Sequence, residues 1–272
     1  MNKRLILGDI HGHIDFVKQI YEHETPTDVI ILGDYCDSFS LKPKDIEYCF
    51  NELLSLKSNH KHGDFHLLIG NHDLHYMITS EEYSGKNRMI ESIMHETLMQ
   101  AWDNKILESY IVDEKNKTIY SHAGITKTWL DIWKYKLGDK VNLNSLIFTF
   151  GNSFNYYGDS PENGFVWVRP NSLYSDMLEG YKQVVGHTVT KEPVIIGKEN
   201  DKPVIIDFND NSKVNSEGII FILDTFLSLA ACLRQKKRRE KVKAKTRFEK
   251  WLDKKYPDKL LDKIYNNSVY VK

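Results

Sequence analysis

Chemically reactive side chains are concentrated in five short segments of the sequence, each of which combines glycine with aspartate, asparagine or histidine. The segments are GDIHG at 8–12, GDYCD at 33–37, GNHD at 70–73, SHAG at 121–124 and GHT at 186–188. Glycine allows the backbone to turn sharply and to approach a bound group closely. Carboxylate, imidazole and amide ligands suit hard or borderline divalent metals, whereas closed structural zinc sites usually use cysteine. The segments therefore favour a divalent metal site that is not a structural zinc site.

Most of these segments follow apolar runs, and the runs predict the elements that position the site. Continuous apolar stretches at 5–7, 29–32 and 67–69 are typical of strands that are buried on both faces. Helical apolar spacing at 16–21 and 46–56 separates them. This order predicts an α/β fold that starts as βαβαβ and has a mainly parallel sheet. Since such sheets bind ligands at the carboxyl ends of their strands, the polar segments are expected to meet there.

The pattern farther along the chain predicts additional helices and strands. Helices are predicted at 74–104, with a turn at Ser84-Gly85, and at 126–135. Strands are predicted at 106–112, 117–121, 183–186, 193–196, 203–207 and 218–223, and a loop rich in Gly, Asn, Ser and Pro at 151–164.

Composition and charge exclude several classes of protein. The chain has 272 residues, of which 41% are hydrophobic and 28% charged, so it can bury a sizeable core. Its net charge of −1 is not that of a polycation built for nucleic acid. The widely spaced Cys36, Cys49 and Cys232 do not form a disulfide framework, which favours a reducing compartment. Because no apolar run has the length of a signal peptide or a membrane span, we expect a cytoplasmic protein without membrane insertion.

The charge is unevenly distributed, because basic residues cluster near the C-terminus. Residues 234–250 contain ten Lys and Arg against Glu240 and Glu249, which gives a local charge of +8. This change in composition predicts one domain over 1–233 and a basic helical extension over 234–272. The extension is either a solvated helix or an arm that contacts a polyanion through residues 234–250.

The order and the residues of the five segments resemble the calcineurin-like metallophosphoesterases, specifically their phosphoprotein phosphatase branch. That family's pattern is GDxHG, GDxxDRG, GNHE or GNHD, HAG or HGG, and GH, and the resemblance covers roughly residues 4–225. Residues 70–75 and 122–126, together with Trp129, look most similar to the ApaH-type bacterial hydrolases of diadenosine tetraphosphate. The resemblance implies a four-layer α/β/β/α sandwich.

The resemblance also implies two divalent metal ions held by six side chains. The first ion would be held by Asp9, His11 and Asp34, and the second by Asp34, Asn71, His122 and His187, with Asp34 as the bridge. Manganese is the expected metal, with iron, zinc and magnesium as alternatives. Two such ions lower the pKa of a bridging water, so that hydroxide is present near neutral pH.

Two further roles follow from the resemblance. His72 would donate a proton to the leaving oxygen, and Asp37 would orient it. The family pattern has a phosphate-binding arginine where this chain has Ser38; ApaH-type enzymes usually keep that arginine and lack the aspartate. Arg169, in a Trp-Val-Arg-Pro segment, resembles the family's second phosphate-binding arginine, and Arg88 is a further candidate.

Several other polar and aromatic residues have structural explanations that compete with functional ones. Asp73 is expected to be a cap or a supporting partner, and Cys36 a small buried residue. Trp167 either stacks on a base or packs in the fold, and the same alternatives apply to Tyr156 and Tyr157. The remaining histidines are expected to be exposed or hydrogen-bonded in the core; they are His13, His23, His60, His62, His66, His75 and His95.

The expected activity is the hydrolysis of a phosphomonoester or phosphoanhydride by metal-activated hydroxide, as in serine/threonine phosphatases. The partner would be a phosphorylated substrate, namely a phosphoprotein, a nucleotide polyphosphate or an RNA 5′ end. Hydrolysis of diadenosine tetraphosphate or of an RNA 5′ polyphosphate is the alternative. An inactive phosphate-binding module is the alternative of another class.

Overall fold

The computed structural model of the chain describes residues 4–38, 41–78, 85–137, 147–148 and 158–188, together with three strands farther along. The elements are β1 (Arg4–Leu7), α1 (Ile14–Glu24), β2 (Asp28–Ile31), α2 (Pro43–Asn59), β3 (Phe65–Leu68), α3 (Asn71–Met77), α4 (Glu91–Asp103), β4 (Leu107–Glu108), β5 (Tyr110–Asp113), β6 (Thr118–Ser121), α5 (Lys127–Leu137), α6 (Pro170–Ser175), β7 (Lys182–Val185), β8 (Val194–Ile196), β9 (Ile205–Asp207) and β10 (Ile219–Ile222). The basic segment 234–250 and Tyr156-Tyr157 lie outside the described residues.

The first sheet contains the predicted βαβαβ start. Its strand order is β10-β1-β2-β3-β4, and every neighbouring pair is parallel. Leu5 lies opposite Val29, and Val29 lies opposite Phe65. The prediction of a parallel sheet built from the three apolar runs is therefore confirmed.

The second sheet has the order β5-β6-β7-β9-β8. Its three central strands are parallel to one another, while β5 and β8 are antiparallel strands at the two edges. The turn from β5 to β6 is closed by Asp113, whose carboxylate accepts hydrogen bonds from the backbone and side-chain amides of Asn116. Parallel central strands leave β6 and β7 with their carboxyl ends on the same edge.

Both faces of the first sheet are buried, which explains why its strands are apolar at successive positions. Alternate residues pack toward the second sheet in one cluster, which contains Ile6, Ile30, Leu32, Leu68, Tyr120 and Val184. Residues of the opposite parity, such as Leu5 and Val29, belong to a larger cluster with α1 and α2. The mixed α/β architecture is thus confirmed, while the four-layer arrangement and the helical extension stay predictions. No helix among the described residues is long and apolar enough to cross a bilayer.

The single strand predicted at 106–112 is wrong. The chain there forms two strands, because β4 pairs with β3 in the first sheet and β5 pairs with β6 in the second. Ser109 lies between them and is completely buried. The segment 106–112 has apolar residues on both sides of Glu108 and Ser109, and this pattern does not reveal that the chain changes sheets, since both strands need apolar residues. The short helix α6 was also not predicted.

Candidate active site

The five polar segments lie at the carboxyl ends of parallel strands from both sheets, as expected. They follow β1, β2 and β3 of the first sheet and β6 and β7 of the second. Two hydrogen bonds join the segments across the sheets. His122 Nδ1 donates to Leu32 O at 3.0 Å, and the backbone N–H of His187 donates to Asp9 Oδ1 at 3.1 Å. Segments distant in sequence are therefore fixed against one another by their own polar groups.

The backbone at the site is held in an uncommon conformation. His11, Asp34, Asp37 and His187 have positive φ angles of 42°, 54°, 60° and 67°. Residues other than glycine rarely adopt this left-handed region, and each such residue costs about 1–3 kcal/mol. Such strain clusters at functional sites, where the surrounding structure over-determines the conformation.

Two glycines are required because site carboxylates occupy the space of a side chain. A Cβ on Gly70 would lie 2.1 Å from Asp34 Oδ1 and 2.5 Å from Asp34 N. A Cβ on Gly186 would lie 2.7 Å from Asp9 Oδ1. These contacts explain why glycine precedes Asn71 and His187, since any larger residue would displace the carboxylate beside it.

Asp73 holds the loop that carries the second polar segment. One of its carboxylate oxygens accepts from the backbone N–H groups of Asp34 at 2.8 Å and Gly70 at 3.0 Å. The other accepts from those of Tyr35 at 2.8 Å and Cys36 at 3.0 Å. With four backbone donors, the carboxylate is committed to a structural role, as predicted for this residue.

The first group of ligand-type atoms comes from Asp9, His11 and Asp34, which lie within 4.8 Å of one another. His11 Nδ1 lies 3.1 Å from Cys36 O and 2.9 Å from Asp37 O. Because a carbonyl oxygen can only accept, Nδ1 carries the hydrogen in the neutral ring. The lone pair is then on Nε2, which is the tautomer that a metal-binding imidazole needs.

The second group comes from Asp34, His122 and His187, again within 4.8 Å. His122 Nδ1 donates to a carbonyl, so its Nε2 carries the lone pair. This Nε2 lies 2.9 Å from Asn71 Oδ1, 3.2 Å from His187 Nδ1 and 3.5 Å from Asp34 Oδ2. Four segments of the chain thus direct nitrogen or oxygen atoms at one small volume.

When no metal ion is bound, burial largely determines the protonation states of the carboxyl and imidazole groups at the site. It raises the pKa of Asp9 to about 7, with the Asp34 carboxylate adding to the rise. It raises the pKa of Asp34 to about 8, a rise that the positive charge of His72 opposes and that Asp73 and Asp37 increase. Burial also lowers the pKa of His122 to about 3 and that of His187 well below its usual range. The imidazoles of His122 and His187 are therefore neutral at pH 7.

The residues present fit a divalent metal centre. The lone pair of His122 Nε2 faces the oxygens of Asn71 and Asp34, and acceptors that face one another repel. A cation between them removes the repulsion, and nitrogen and oxygen donors of this kind suit divalent metals. Asp34 belongs to both groups, so its carboxylate is placed where one residue contacts two ions.

A histidine–carboxylate pair lies beside these groups. His72 Nδ1 is 2.8 Å from Asp37 Oδ2. Burial disfavours the charge of both partners, but hydrogen bonds outweigh it. Those from His72, His75 and Tyr76 lower the pKa of Asp37 to about 2. The bond to Asp37 and the charge of Asp34 raise the pKa of His72 to about 9. His72 is therefore protonated near neutral pH.

Arg169, which the sequence predicts to bind phosphate, lies close to the second group of ligand-type atoms. Arg169 is exposed, and its Nη1 donates to His187 O at 3.1 Å and to Thr188 Oγ1 at 3.3 Å. Ser38, in the position of the family arginine, accepts the backbone N–H of Leu41 through Oγ at 3.3 Å. Arg88 is exposed on the segment between α3 and α4.

Sequence reasoning missed two residues of this region. His75 and Tyr76 both contact the Asp37 carboxylate, at 2.7 Å each. The signal was their spacing of three and four residues from His72, which places all three side chains on one face of α3.

The chain matches the family model described as calcineurin-like phosphoesterase over residues 3–202. No curated protein is similar enough to match it. The matched region contains all five polar segments and the two groups of ligand-type atoms that share Asp34. Members of this family bind a dinuclear divalent metal centre. Because the match covers most of the chain, the protein belongs to the calcineurin-like phosphoesterases and is a metal-dependent hydrolase of phosphoesters.

Proposed function

We propose that the protein hydrolyses a phosphomonoester or phosphoanhydride in the manner of the serine/threonine phosphatases, with manganese as its preferred metal. The observation that carries this proposal is the position of one protonated histidine beside two groups of metal-binding atoms. His72 follows Asn71 directly, and its backbone N–H donates to Asp34 Oδ1 at 2.9 Å. A proton donor is therefore fixed to the same carboxylate that is shared by the two groups.

The residues that would hold the metals are those with converging acceptor atoms. Asp9, His11 and Asp34 would hold the first ion, and Asp34, Asn71, His122 and His187 would hold the second. When bound, such ions supply Lewis acidity toward the phosphoryl group and acidify the attacking water. The protein contributes fixed lone pairs, since carbonyls hold the Nδ1–H groups of His11 and His122.

His72 is proposed to protonate the leaving oxygen. Asp37 accepts its Nδ1–H at 2.8 Å, so the second ring N–H, on Nε2, is available to a substrate. The raised pKa of His72 keeps both ring nitrogens protonated at neutral pH before reaction. Transfer of the Nε2 proton leaves a neutral imidazole that Asp37 still orients.

Arg169 is proposed to bind the substrate phosphate. Its guanidinium lies beside the backbone of His187, and its positive charge contributes to the lowered pKa of His122 and His187. A guanidinium in this position adds a fork of donors for phosphate oxygens. Ser38 offers one hydroxyl in place of a second arginine, so Arg169 is expected to carry much of the anchoring.

The alternative substrates, diadenosine tetraphosphate and RNA 5′ polyphosphates, depend on the ApaH-like segments. One residue of that resemblance has a structural explanation. Trp129 is 1% exposed and packs edge-on against Phe165, with ring centroids 5.3 Å apart. Trp129 therefore packs in the core and does not by itself indicate a diadenosine tetraphosphate substrate. The phosphatase-like reaction stays the first choice. Localisation in the cytoplasm stays a prediction.

A parallel assay with manganese tests the proposal. Phosphoserine peptides, p-nitrophenyl phosphate, diadenosine tetraphosphate and 5′-triphosphorylated RNA are compared at equal concentration, with and without chelator. Preferred turnover of phosphopeptides supports the proposal, and preferred turnover of diadenosine tetraphosphate or RNA replaces it by the alternative. Stoichiometric metal without turnover of any substrate would leave an inactive phosphate-binding module.

A matched pair of variants tests the acid in the same assay. His72→Asn is expected to keep the metal content and to lower kcat by about 10²–10⁴-fold for a poor leaving group. His66→Asn is the control, because His66 also pairs with a carboxylate, that of Glu108, at 2.7 Å but outside the site. An equal loss in both variants would contradict the role of His72.

A further inference from the structure

We infer that Tyr76, with His75, is a positioning residue that fixes Asp37 and thereby aims His72, an inference that rests on the proposed role of His72. The Asp37 carboxylate receives three side-chain contacts from one short helix. Oδ2 contacts His72 Nδ1 at 2.8 Å and His75 Nε2 at 2.7 Å, while Oδ1 accepts the Tyr76 hydroxyl at 2.7 Å. Both oxygens of the carboxylate are therefore held from α3.

The contacts at the two oxygens of the Asp37 carboxylate have different effects. His72 and His75 share Oδ2, which has two lone pairs and can accept from both rings. Tyr76 holds the other oxygen, so the carboxylate cannot rotate about its terminal bond and exchange the two oxygens. His75 and Tyr76 are 0% exposed, so water does not replace either contact. The orientation of the His72 ring therefore depends on residues that do not face the substrate.

The direction of the Tyr76 hydrogen bond is set by a further residue. The backbone N–H of Asn87 donates to Tyr76 Oη at 2.8 Å, so the hydroxyl hydrogen is left for Asp37. The segment that contains Asn87 lies close to Asp37, because a Cβ on Gly85 would be 3.2 Å from the Asp37 Cβ. A chain of hydrogen bonds thus runs from the 85–87 segment through Tyr76 and Asp37 to His72.

Tyr76→Phe isolates this chain, because it removes one oxygen and keeps the ring. We expect kcat to fall about tenfold for an alkyl phosphate, with KM unchanged, because a misaimed acid slows only protonation of the leaving group. The loss should be close to onefold for p-nitrophenyl phosphate, whose leaving group needs little protonation. Tyr21→Phe is the matched control, since Tyr21 forms a hydrogen bond of 2.7 Å to His60 outside the site.

A double variant separates positioning from a general loss of structure. In the His72→Asn background, Tyr76→Phe should cause no further loss of kcat, because the tyrosine acts only through the histidine. A multiplicative loss in the double variant, or an equal loss for both leaving groups, would overturn the inference. His75→Gln, which keeps a donor, is expected to retain more kcat than His75→Leu.

The histidine resonances provide a readout that needs no substrate. In ¹⁵N-labelled protein, Tyr76→Phe should shift the ring resonances of His72, while Tyr21→Phe should leave them unchanged. If the wild-type protein hydrolyses no phosphoester, the proposed function fails, and the resonances still decide the positioning. Unchanged His72 resonances in Tyr76→Phe would overturn the inference whatever the activity.

Discussion

The two ends of the paired sheets both contain clusters of buried or partly buried charge, but they differ in how far neighbouring cations balance the carboxylates. At the carboxyl ends of the strands, Asp9 and Asp34 lie beside the neutral imidazoles of His122 and His187, and the charge of His72 offsets only part of the effect of burial on Asp34. At the opposite end, Arg4 Nη1 lies 3.0 Å from Asp113 Oδ2 and donates to Tyr120 Oη at 3.0 Å. The first end thus presents acceptors to an external ion, while the second is satisfied by the chain itself.

The carboxyl pKa values shift in opposite directions at the two ends, because burial acts on both carboxyl groups and the neighbouring donors outweigh it at only one end. Burial raises the pKa of Asp34 to about 8 because no neighbouring cation offsets it sufficiently. Burial acts on Asp113 as well, but hydrogen bonds from Asn116 and Arg4 lower its pKa. Burial of a carboxylate alone therefore does not indicate a functional site. A buried carboxylate whose charge the neighbouring side chains do not fully balance does indicate one, because a ligand has to balance it.

The largest difference between the ends is expected in turnover. Asp34→Asn should lower kcat by about 10³-fold or more, because it removes the carboxylate that is proposed to serve both metal positions, and metal assistance contributes several kcal/mol. Asp113→Asn should change kcat by less than about twofold. Steady-state kinetics with manganese and elemental analysis of the purified variants measure both effects. Two bound metals per chain with unchanged turnover in Asp34→Asn would contradict the bridging role.

The next effect concerns the stability of the metal-free protein between pH 6.5 and 8.5. Asp9, Asp34 and His72 have raised pKa values of about 7, 8 and 9, so the folded protein holds protons there that the unfolded chain has released. Stability must therefore fall as pH rises, on the order of 4 kcal/mol across this window. His122 opposes this fall only near pH 6.5, where the histidine of the unfolded chain is still partly protonated while the folded one stays neutral. Chemical unfolding in chelator at a series of pH values measures the slope.

Variants at the two ends of the sheets test whether these raised pKa values cause the loss of stability with rising pH. Asp34→Asn should flatten the slope, and Asn also suits the left-handed backbone at that position. Asp113→Asn should leave the slope unchanged, because a lowered pKa affects stability only in acid. Saturating metal should also reduce the slope, because it displaces the protons of Asp9 and Asp34 but not that of His72. A slope that is the same in both variants would show that other groups cause it.

Much of the carboxyl-end site could be predicted from the sequence, because its information is local. Gly-Asp, Gly-Asn and Gly-His pairs directly follow apolar runs, so the strand ends and their polar side chains are read together. Within the first sheet, the convergence of Asp9 and Asp34 then follows from neighbouring parallel strands that end at one edge. Their roles as ligands stay predictions, although the geometry places their acceptor atoms together.

The rest depends on contacts that leave no local pattern. Arg4 and Asp113 are separated by 109 residues, and neither is part of a motif. The switch of the chain from β4 to β5 lies within the segment 106–112, which the sequence predicts as a single strand. His75 and Tyr76 read as ordinary helix residues until the loop that carries Asp37 packs on α3.

Arg169 and Arg4, which lie at the two ends of the sheets, are expected to differ in their effect on catalysis. Arg169→Ala is expected to lower kcat/KM by about tenfold, because a single arginine contact to phosphate acts in both the ground and transition states. Arg4→Met should leave kcat/KM unchanged, since its guanidinium lies at the far end of the sheets. Kinetics with one phosphomonoester at several concentrations separate KM from kcat. Equal values for wild type and Arg169→Ala would place phosphate binding elsewhere.

The smallest expected effect is on the stability conferred by Arg4. Its side chain is 26% exposed, so solvent screens its pairs with Asp113 and with Asp28, the latter at 3.5 Å. Arg4→Met keeps the apolar stem and removes the charge, and should lower the free energy of unfolding by about 1 kcal/mol at low salt. The loss should shrink when Asp113→Asn is already present, because the two changes remove the same pair. Urea unfolding of the four proteins in the cycle measures the coupling, and additive losses would show that Arg4 stabilises the sheet end through packing alone.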